Sequence, residues 1–162
     1  MSATGSLHIA ELLKPEAVRI GLPGTEKAVL IDALVDLLDT YGDAVIDLAR
    51  VRADVHDREA QMSTGVGKGL ALPHARSAAV RDTVAAFATT AEPVEFGAID
   101  GSPVRLVFLL VGPEMERSRH IKLLSRVSRL MNRDAFRKGL LAARTSEEAL
   151  ALFRDAEAAL AA

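Results

Sequence analysis

The sequence contains no cysteine. Disulfides, thiolate metal sites, iron–sulfur clusters and a cysteine nucleophile are therefore excluded. Long apolar runs are missing too. The run Leu106 to Val111 falls far short of the roughly 20 residues a membrane span needs. The first residues, Met1 to Leu7, are polar and lack a basic stretch, so no secretory signal is visible and a cytoplasmic protein is expected. Neither charge sign dominates: 20 Lys and Arg against 22 Asp and Glu leave a net charge of −2, which argues against bulk nucleic-acid affinity. Aromatic residues make up only 4%, too few for the stacking platforms that single-stranded nucleic acids require. Repeats, low-complexity tracts and an interdomain linker are also absent.

What remains is an ordinary globular composition over 162 residues, 49% hydrophobic and 26% charged. One domain spanning 1–162 is expected, long enough to bury a core without staples. Its charge is unevenly spread. Between Arg117 and Lys138 stand eight basic residues and one acidic residue, while the rest of the chain carries 12 basic and 21 acidic.

Periodicity supplies the elements. A helix is expected after Thr25, with Leu30, Leu34, Leu37 and Leu38 on its apolar face and Gly42 past its end. A second runs from near Asp47 to about Glu59. Gly65, Gly67 and Gly69 mark a loop. The short apolar run Leu70 to Leu72 ends at Pro73, which favours extended geometry before it. Thr83 to Thr90 reads as a strand, and Val104 to Val111 as a strand buried on both faces. The segment Glu92 to Pro103 reads as a loop, with a short strand at Val94 to Phe96. Helices follow from about Arg119 to Met131, Asp134 to Ala143 and Thr145 to Leu160, the last with a capping box of Thr145 and Glu148. This alternation predicts an α/β domain with helices on both faces of a central sheet.

The window from Arg58 to Arg76 is the richest in chemistry. Gly65-Val-Gly67-Lys-Gly69 fails the dinucleotide pattern, because Leu70 stands where the third glycine belongs. It also fails the P-loop pattern, because Gly69 stands where Ser or Thr belongs. It reads either as a tight turn or as a set of backbone N–H groups open to an anion. His74 follows Pro73 at the end of a short strand, where sites form in open α/β sheets, although an isolated histidine there is more often structural. Ser63 and Thr64 add hydroxyls, and Arg58 adds a guanidinium suited to phosphate. A histidine among anion-holding groups has the makings of a nucleophile toward phosphoryl groups. No acid–base carboxylate pair and no Ser-His-Asp order stands out. No His/carboxylate spacing suits zinc, so no metal and no cofactor is expected.

Arg58-Glu59 followed by Ser63-Thr64-Gly65-Val66-Gly67-Lys68-Gly69-Leu70-Ala71-Leu72-Pro73-His74 resembles the active-site signature of the mannitol/fructose-type enzyme IIA family (type 2 EIIA) of the bacterial phosphoenolpyruvate-dependent sugar phosphotransferase system. Pro93-Val94-Glu95-Phe96, Asp100-Gly101 and His120 with Leu123-Leu124 match the family pattern in order. The likeness covers a core of about 8–158. It implies a mixed, roughly five-stranded sheet covered by helices. It implies that His74 accepts a phosphoryl group from the phosphohistidine of the carrier HPr and passes it to a cysteine of enzyme IIB, which serves a membrane IIC permease. Arg58 and His120 would lie beside the acceptor, and Ser63, Thr64 and Gly65 would help to bind the phosphoryl group. Ala75 departs from the glycine common after the histidine, which mildly favours the fructose-like branch.

Several residues carry plainer readings as well. Arg58 could be a solvated cation at the negative end of a helix, and His120 a helix-start histidine without a role. Ser63 and Thr64 could be turn residues. His56, among Asp54, Asp57 and Arg58, reads as a solvated helix residue, and His8 is assigned nothing. The stripe Arg119, Lys122, Arg126, Arg129, Arg133 lies on one helix face. Such a stripe is most simply a solvated face; otherwise it docks an acidic protein or nucleic acid. Three functions are thus in play: a phosphocarrier for a sugar, a regulatory module of the nitrogen-related branch acting by phosphorylation-dependent protein binding, and, more weakly, a nucleic-acid binder.

Overall fold

The apolar run around Leu106 becomes the central strand. In the computed structural model, which describes residues 7–161, the elements in chain order are α1 (Ile9–Leu12), β1 (Val18–Leu22), α2 (Lys27–Leu37), α3 (Leu48–Gln61), β2 (Gly65–Gly67), β3 (Leu70–Ala71), β4 (His74–Ser77), β5 (Val84–Val94), β6 (Val104–Pro113), α4 (Arg117–Met131), α5 (Asp134–Ala142) and α6 (Ser146–Ala161). Short 3-10 turns occupy Pro15–Ala17 and Leu38–Ala44. None of the helices is long and apolar enough to cross a membrane, among the described residues.

Strand β6 pairs antiparallel with β5, and β5 pairs parallel with β1. The other edge of β6 takes both β3 and β4 in parallel, and β2 closes that side antiparallel to β3. β3 and β4 keep a single register: Leu70 lies opposite Leu106 and His74 opposite Leu110. Pro73 separates them because it has no amide hydrogen for the ladder, although its carbonyl still accepts from the Leu110 N–H at 3.1 Å. The six strands therefore make five rows of a mixed sheet, as anticipated.

Alternation along the strands builds two cores. Leu70, Leu72, Phe87, Leu106, Phe108 and Leu110 face α1, α4, α5 and α6. Ala71, Ala75, Ala86, Val107, Leu109 and Val111 face α2 and α3. A strand apolar at nearly every position is what two covered faces require. Phe153 of α6 anchors the first core, with its ring centroid 5.3 Å from that of Phe87, 5.9 Å from Phe108 and 5.1 Å from Phe136. Its contacts with Phe87 and Phe136 are edge-on, the arrangement aromatic quadrupoles favour.

The long helices lie close to their expected positions, and Thr145 and Glu148 do meet, the hydroxyl accepting from the Glu148 N–H at 3.1 Å. Three regions differ. The glycine-rich loop is instead the tight β2–β3 hairpin, with Gly67, Lys68 and Gly69 all at positive φ. Val94 does not begin a separate strand; it ends β5, which runs through a register shift after Thr89 that accommodates Pro93. Finally, α1 and the edge strand β1 were not expected, since their runs are too short to carry a clear period. Replacing Phe153, which is fully buried, by alanine is expected to lower the unfolding free energy by about 3–5 kcal/mol. Urea denaturation followed by circular dichroism measures this; a loss below about 1 kcal/mol would contradict the role given to that ring.

Candidate functional site

Strand alternation decides where His74 points. Ala75 packs on the α2–α3 side, so His74 turns to the opposite face, where α4 begins. Its Nδ1 lies 2.7 Å from the carbonyl oxygen of Leu72. A carbonyl only accepts, so Nδ1 is the protonated nitrogen and Nε2 keeps its lone pair. Burial lowers the His74 pKa below the usual value, and the nearby Arg58 charge adds to this; the Leu72 carbonyl and Glu59 act in the other direction.

His120, in the first turns of α4, stands beside it with ring centroids 5.9 Å apart. It is buried, and its Nδ1 has no hydrogen-bond partner. Space for the ring comes from β6: a Cβ on Gly112 would sit 3.1 Å from His120 Nδ1. Burial first, then the charges of His74 and Arg76, push the His120 pKa down to about 4. Both rings are neutral near pH 7.

The two histidines line a cleft of about 910 Å³ together with Arg58, Arg76 and Arg117. Arg58 closes α3, where its guanidinium donates to the Met62 carbonyl at 3.2 Å. Arg76 stands two residues beyond His74 and donates to the Glu114 carbonyl at 3.0 Å. Asp54, Asp57 and Glu114 also border the cleft, but Asp54 is already engaged by Ser77 at 2.6 Å and Arg50 at 3.1 Å. The first turn of α4 borders the same space, with the positive end of its dipole.

His74, His120 and Arg58 thus come together, whereas Ser63, Thr64 and Gly65 do not line the cleft. Thr64 is buried, with its N–H donating to Glu59 at 2.8 Å and its hydroxyl donating to the same carboxylate. Glu59 is held in turn by Lys27 at 2.7 Å. Ser63 donates to the Phe96 carbonyl and accepts from the Gly65 N–H. Of the three, Thr64 connects to the site through the backbone: its carbonyl accepts from the Leu72 N–H at 2.9 Å, one peptide before the carbonyl that orients His74. The loop amide of Lys68 is not open to an anion, because it donates to Asp100 at 2.9 Å.

Arg76, Arg117 and Gly112 were not singled out from the sequence, and Glu59 entered only as a helix end and as part of the matched signature, with no role given to it. Arg76 carries a usable signal, since residues i and i+2 of a strand share a face. Gly112 carries none, because its need is set by a ring arriving from another element. His56 pairs with Asp32 at 2.7 Å. The basic stripe is not uniform. Arg126 meets the buried Glu157 at 3.1 Å, and Arg119 donates to Thr83 at 2.9 Å. Lys122, Arg129 and Arg133 are exposed. Among the described residues no cluster of three or more His, Asp or Glu could hold a metal ion.

Comparison with known proteins gives the family. Residues 11–156 match the family model for the phosphoenolpyruvate-dependent sugar phosphotransferase system, EIIA 2. The fructose-specific EIIABC component of Bacillus subtilis (strain 168) is 36% identical over 144 residues, covering 89% of this chain and 22% of that protein. The chain therefore spans about a fifth of that relative's length. The fructose-specific EIIA component of Haloferax volcanii is 31% identical over 144 residues, covering 86% of this chain and 90% of the relative. The crystal structure of the nitrogen regulatory protein IIA-Ntr from Neisseria meningitidis superposes with a TM-score of 0.83 at 32% identity, covering 90% of this chain and 98% of that one. From the matched length and the shared fold, the chain belongs to the EIIA 2 family of the phosphoenolpyruvate-dependent sugar phosphotransferase system, a family of phosphotransferases that work through a phosphohistidine.

Proposed function

We propose that this protein is a phosphocarrier in which His74 Nε2 takes a phosphoryl group from the phosphohistidine of an HPr-like carrier and hands it to the cysteine of an enzyme IIB. The observation that carries the reading is the Leu72 carbonyl at His74 Nδ1, which leaves a neutral, nucleophilic Nε2 in a cleft rich in arginine. In the forward step the Nε2 lone pair forms the N–P bond as the donor's N–P bond breaks, and the donor imidazole leaves with that electron pair. The His74 ring then carries a positive charge, offset by the Leu72 carbonyl facing its Nδ1–H. Arg58, Arg76, Arg117 and the first turn of α4 offset the phosphoryl charge. His120, kept neutral by burial, supplies a ring N–H to a phosphoryl oxygen. Ser63, Thr64 and Gly65 act by positioning the strand that leads to His74. The return step, to a thiolate on enzyme IIB, needs no further group.

Both carriers are proteins, and the exposed side chains of Met115 and Ile121 at the cleft rim suit a protein contact. In this reading the protein works in the cytoplasm, its IIB partner serves a membrane IIC permease, and the sugar is of the fructose/mannitol type. A second reading rests on the similarity to IIA-Ntr along nearly its full length. There the phosphorylation state of His74 controls binding to other proteins, and no sugar is moved. The two readings part at the last step: transfer from phosphorylated His74 to a IIB cysteine supports transport, and failure with every IIB tested supports regulation.

Incubation with phosphorylated HPr, read by intact mass, is expected to add one phosphoryl group to the wild type and none to His74→Ala. The adduct should be acid-labile and base-stable. A fully phosphorylated His74→Ala would end the proposal. His120→Gln, which keeps an N–H donor of similar reach, is expected to be phosphorylated, while His120→Ala slows transfer by about 10²-fold or more; stopped-time sampling separates the two.

The depressed histidine values also fix a pH dependence. The His120 pKa is about 4 in the folded chain and about 6.5 when unfolded, so between these values the unfolded state binds the extra proton. Stability is therefore lost as pH falls through that window. The unfolding free energy of the wild type should drop from pH 7 to pH 5, and that of His120→Gln should drop less. Equal slopes in parallel urea titrations would contradict the buried, neutral His120.

A further inference from the structure

A second groove lies between the β2–β3 hairpin and the latter half of α4, apart from the cleft of the two histidines. Its volume is about 520 Å³, within the range of roughly 300–1,000 Å³ seen for small-molecule sites. Its polar lining is Lys68, Arg129, Ser125, Ser128 and Asn132, with no carboxylate among the lining residues. Ser125, Ser128 and Arg129 of α4 and its C-cap residue Asn132 recur at helical spacing, so they present one face. Leu70 and Met131, 5% and 1% exposed, add an apolar floor.

Lys68 is held there by design of the hairpin. It has φ 59°, the one positive value among the described non-glycine residues, in a region that L side chains avoid. Asp100 stabilises that conformation by accepting the Lys68 N–H at 2.9 Å. Gly67, at φ 95°, leaves room for the carboxylate, since a Cβ there would lie 3.1 Å from it. The ammonium spans the groove and donates to Asn132 Oδ1 at 2.8 Å. Two of its three protons remain for another acceptor. Sequence patterns made this glycine-rich stretch a candidate anion loop; the structure occupies its amide and offers the lysine head instead.

We propose that this groove binds a small phosphorylated metabolite. Lys68 and the fork of Arg129 take the phosphate, while Ser125, Ser128 and Asn132 hydrogen-bond a hydroxylated carbon skeleton over Leu70 and Met131. The groove lies toward the negative end of the α4 dipole, so both cations are needed. The site stands independently of the reaction assigned to His74.

Titration of the ¹⁵N-labelled full chain with glucose 6-phosphate, glucose and inorganic phosphate tests this. Glucose 6-phosphate is expected to shift the amides of residues 66–70 and 125–132 saturably, and glucose to leave them in place. Inorganic phosphate should bind about tenfold more weakly or worse, lacking the contacts to the skeleton. Lys68→Asn, chosen because asparagine tolerates positive φ, and Arg129→Ala should each weaken glucose 6-phosphate by about tenfold or more, with melting temperatures like that of the wild type. No saturable shift, shifts centred on His74 and His120, equal affinity for inorganic phosphate, or wild-type affinity in both variants would each overturn the proposal.

Discussion

The chemistry proposed for this protein depends on one hydrogen bond: the carbonyl of Leu72 against Nδ1 of His74, at 2.7 Å. It assigns the ring proton to the inner nitrogen and leaves the lone pair on the outer one. That bond is a property of the strand. Leu72 is tied by its N–H to the Thr64 carbonyl, Pro73 carries no amide of its own, and His74 re-enters the ladder opposite Leu110. Orienting an imidazole through the main chain costs no extra titratable group. A carboxylate in the same place would hold the ring equally well but would raise its pKa and favour the protonated, non-nucleophilic form.

The remainder of the fold serves to bring α4 to that ring. A sheet covered on both faces has no freedom in register, because a slip of one residue would exchange its two apolar cores. β6 therefore fixes β4 laterally and leads directly through Gly112 and Pro113 into α4. His120 arrives beside His74 with ring centroids 5.9 Å apart, in a space available because residue 112 has no side chain. The arginines come from three different elements: Arg58 from the end of α3, Arg76 from β4 and Arg117 from the start of α4. Positive charge from three separate segments thus lines the cleft that holds His74.

Much of this was legible in the sequence, because the informative patterns are local. The apolar run at Val104–Val111 and the periods of α2 to α6 give the layered α/β class. The Ser-Thr-Gly to Pro-His stretch points to His74 as the candidate site, and the resemblance names Arg58 and His120, which line the same cleft. What escaped reading depends on contacts between distant segments. β1 is a five-residue edge strand whose pairing partner lies far along the chain. The hairpin at Gly65–Ala71 is stabilised by Asp100 from a separate loop. Ser63 and Thr64 read naturally as anion-holding hydroxyls, yet the neighbour that claims Thr64 is Glu59, five residues earlier on a helix whose end orients it inward. Residue type named the donors correctly; only geometry could name their acceptors.

The carboxylate of Glu157 joins the two extremities of the described chain. From within α6 it accepts the N–H groups of Ile9 and Ala10 at 2.7 and 2.8 Å and pairs with Arg126 of α4. A charge buried to this degree is tolerable only while all its partners remain in place. Fraying of either extremity strands this carboxylate, so the first helical turn and the last helix open and close as a single cooperative unit. Local breathing at one end is thereby felt at the other, some 148 residues away along the backbone.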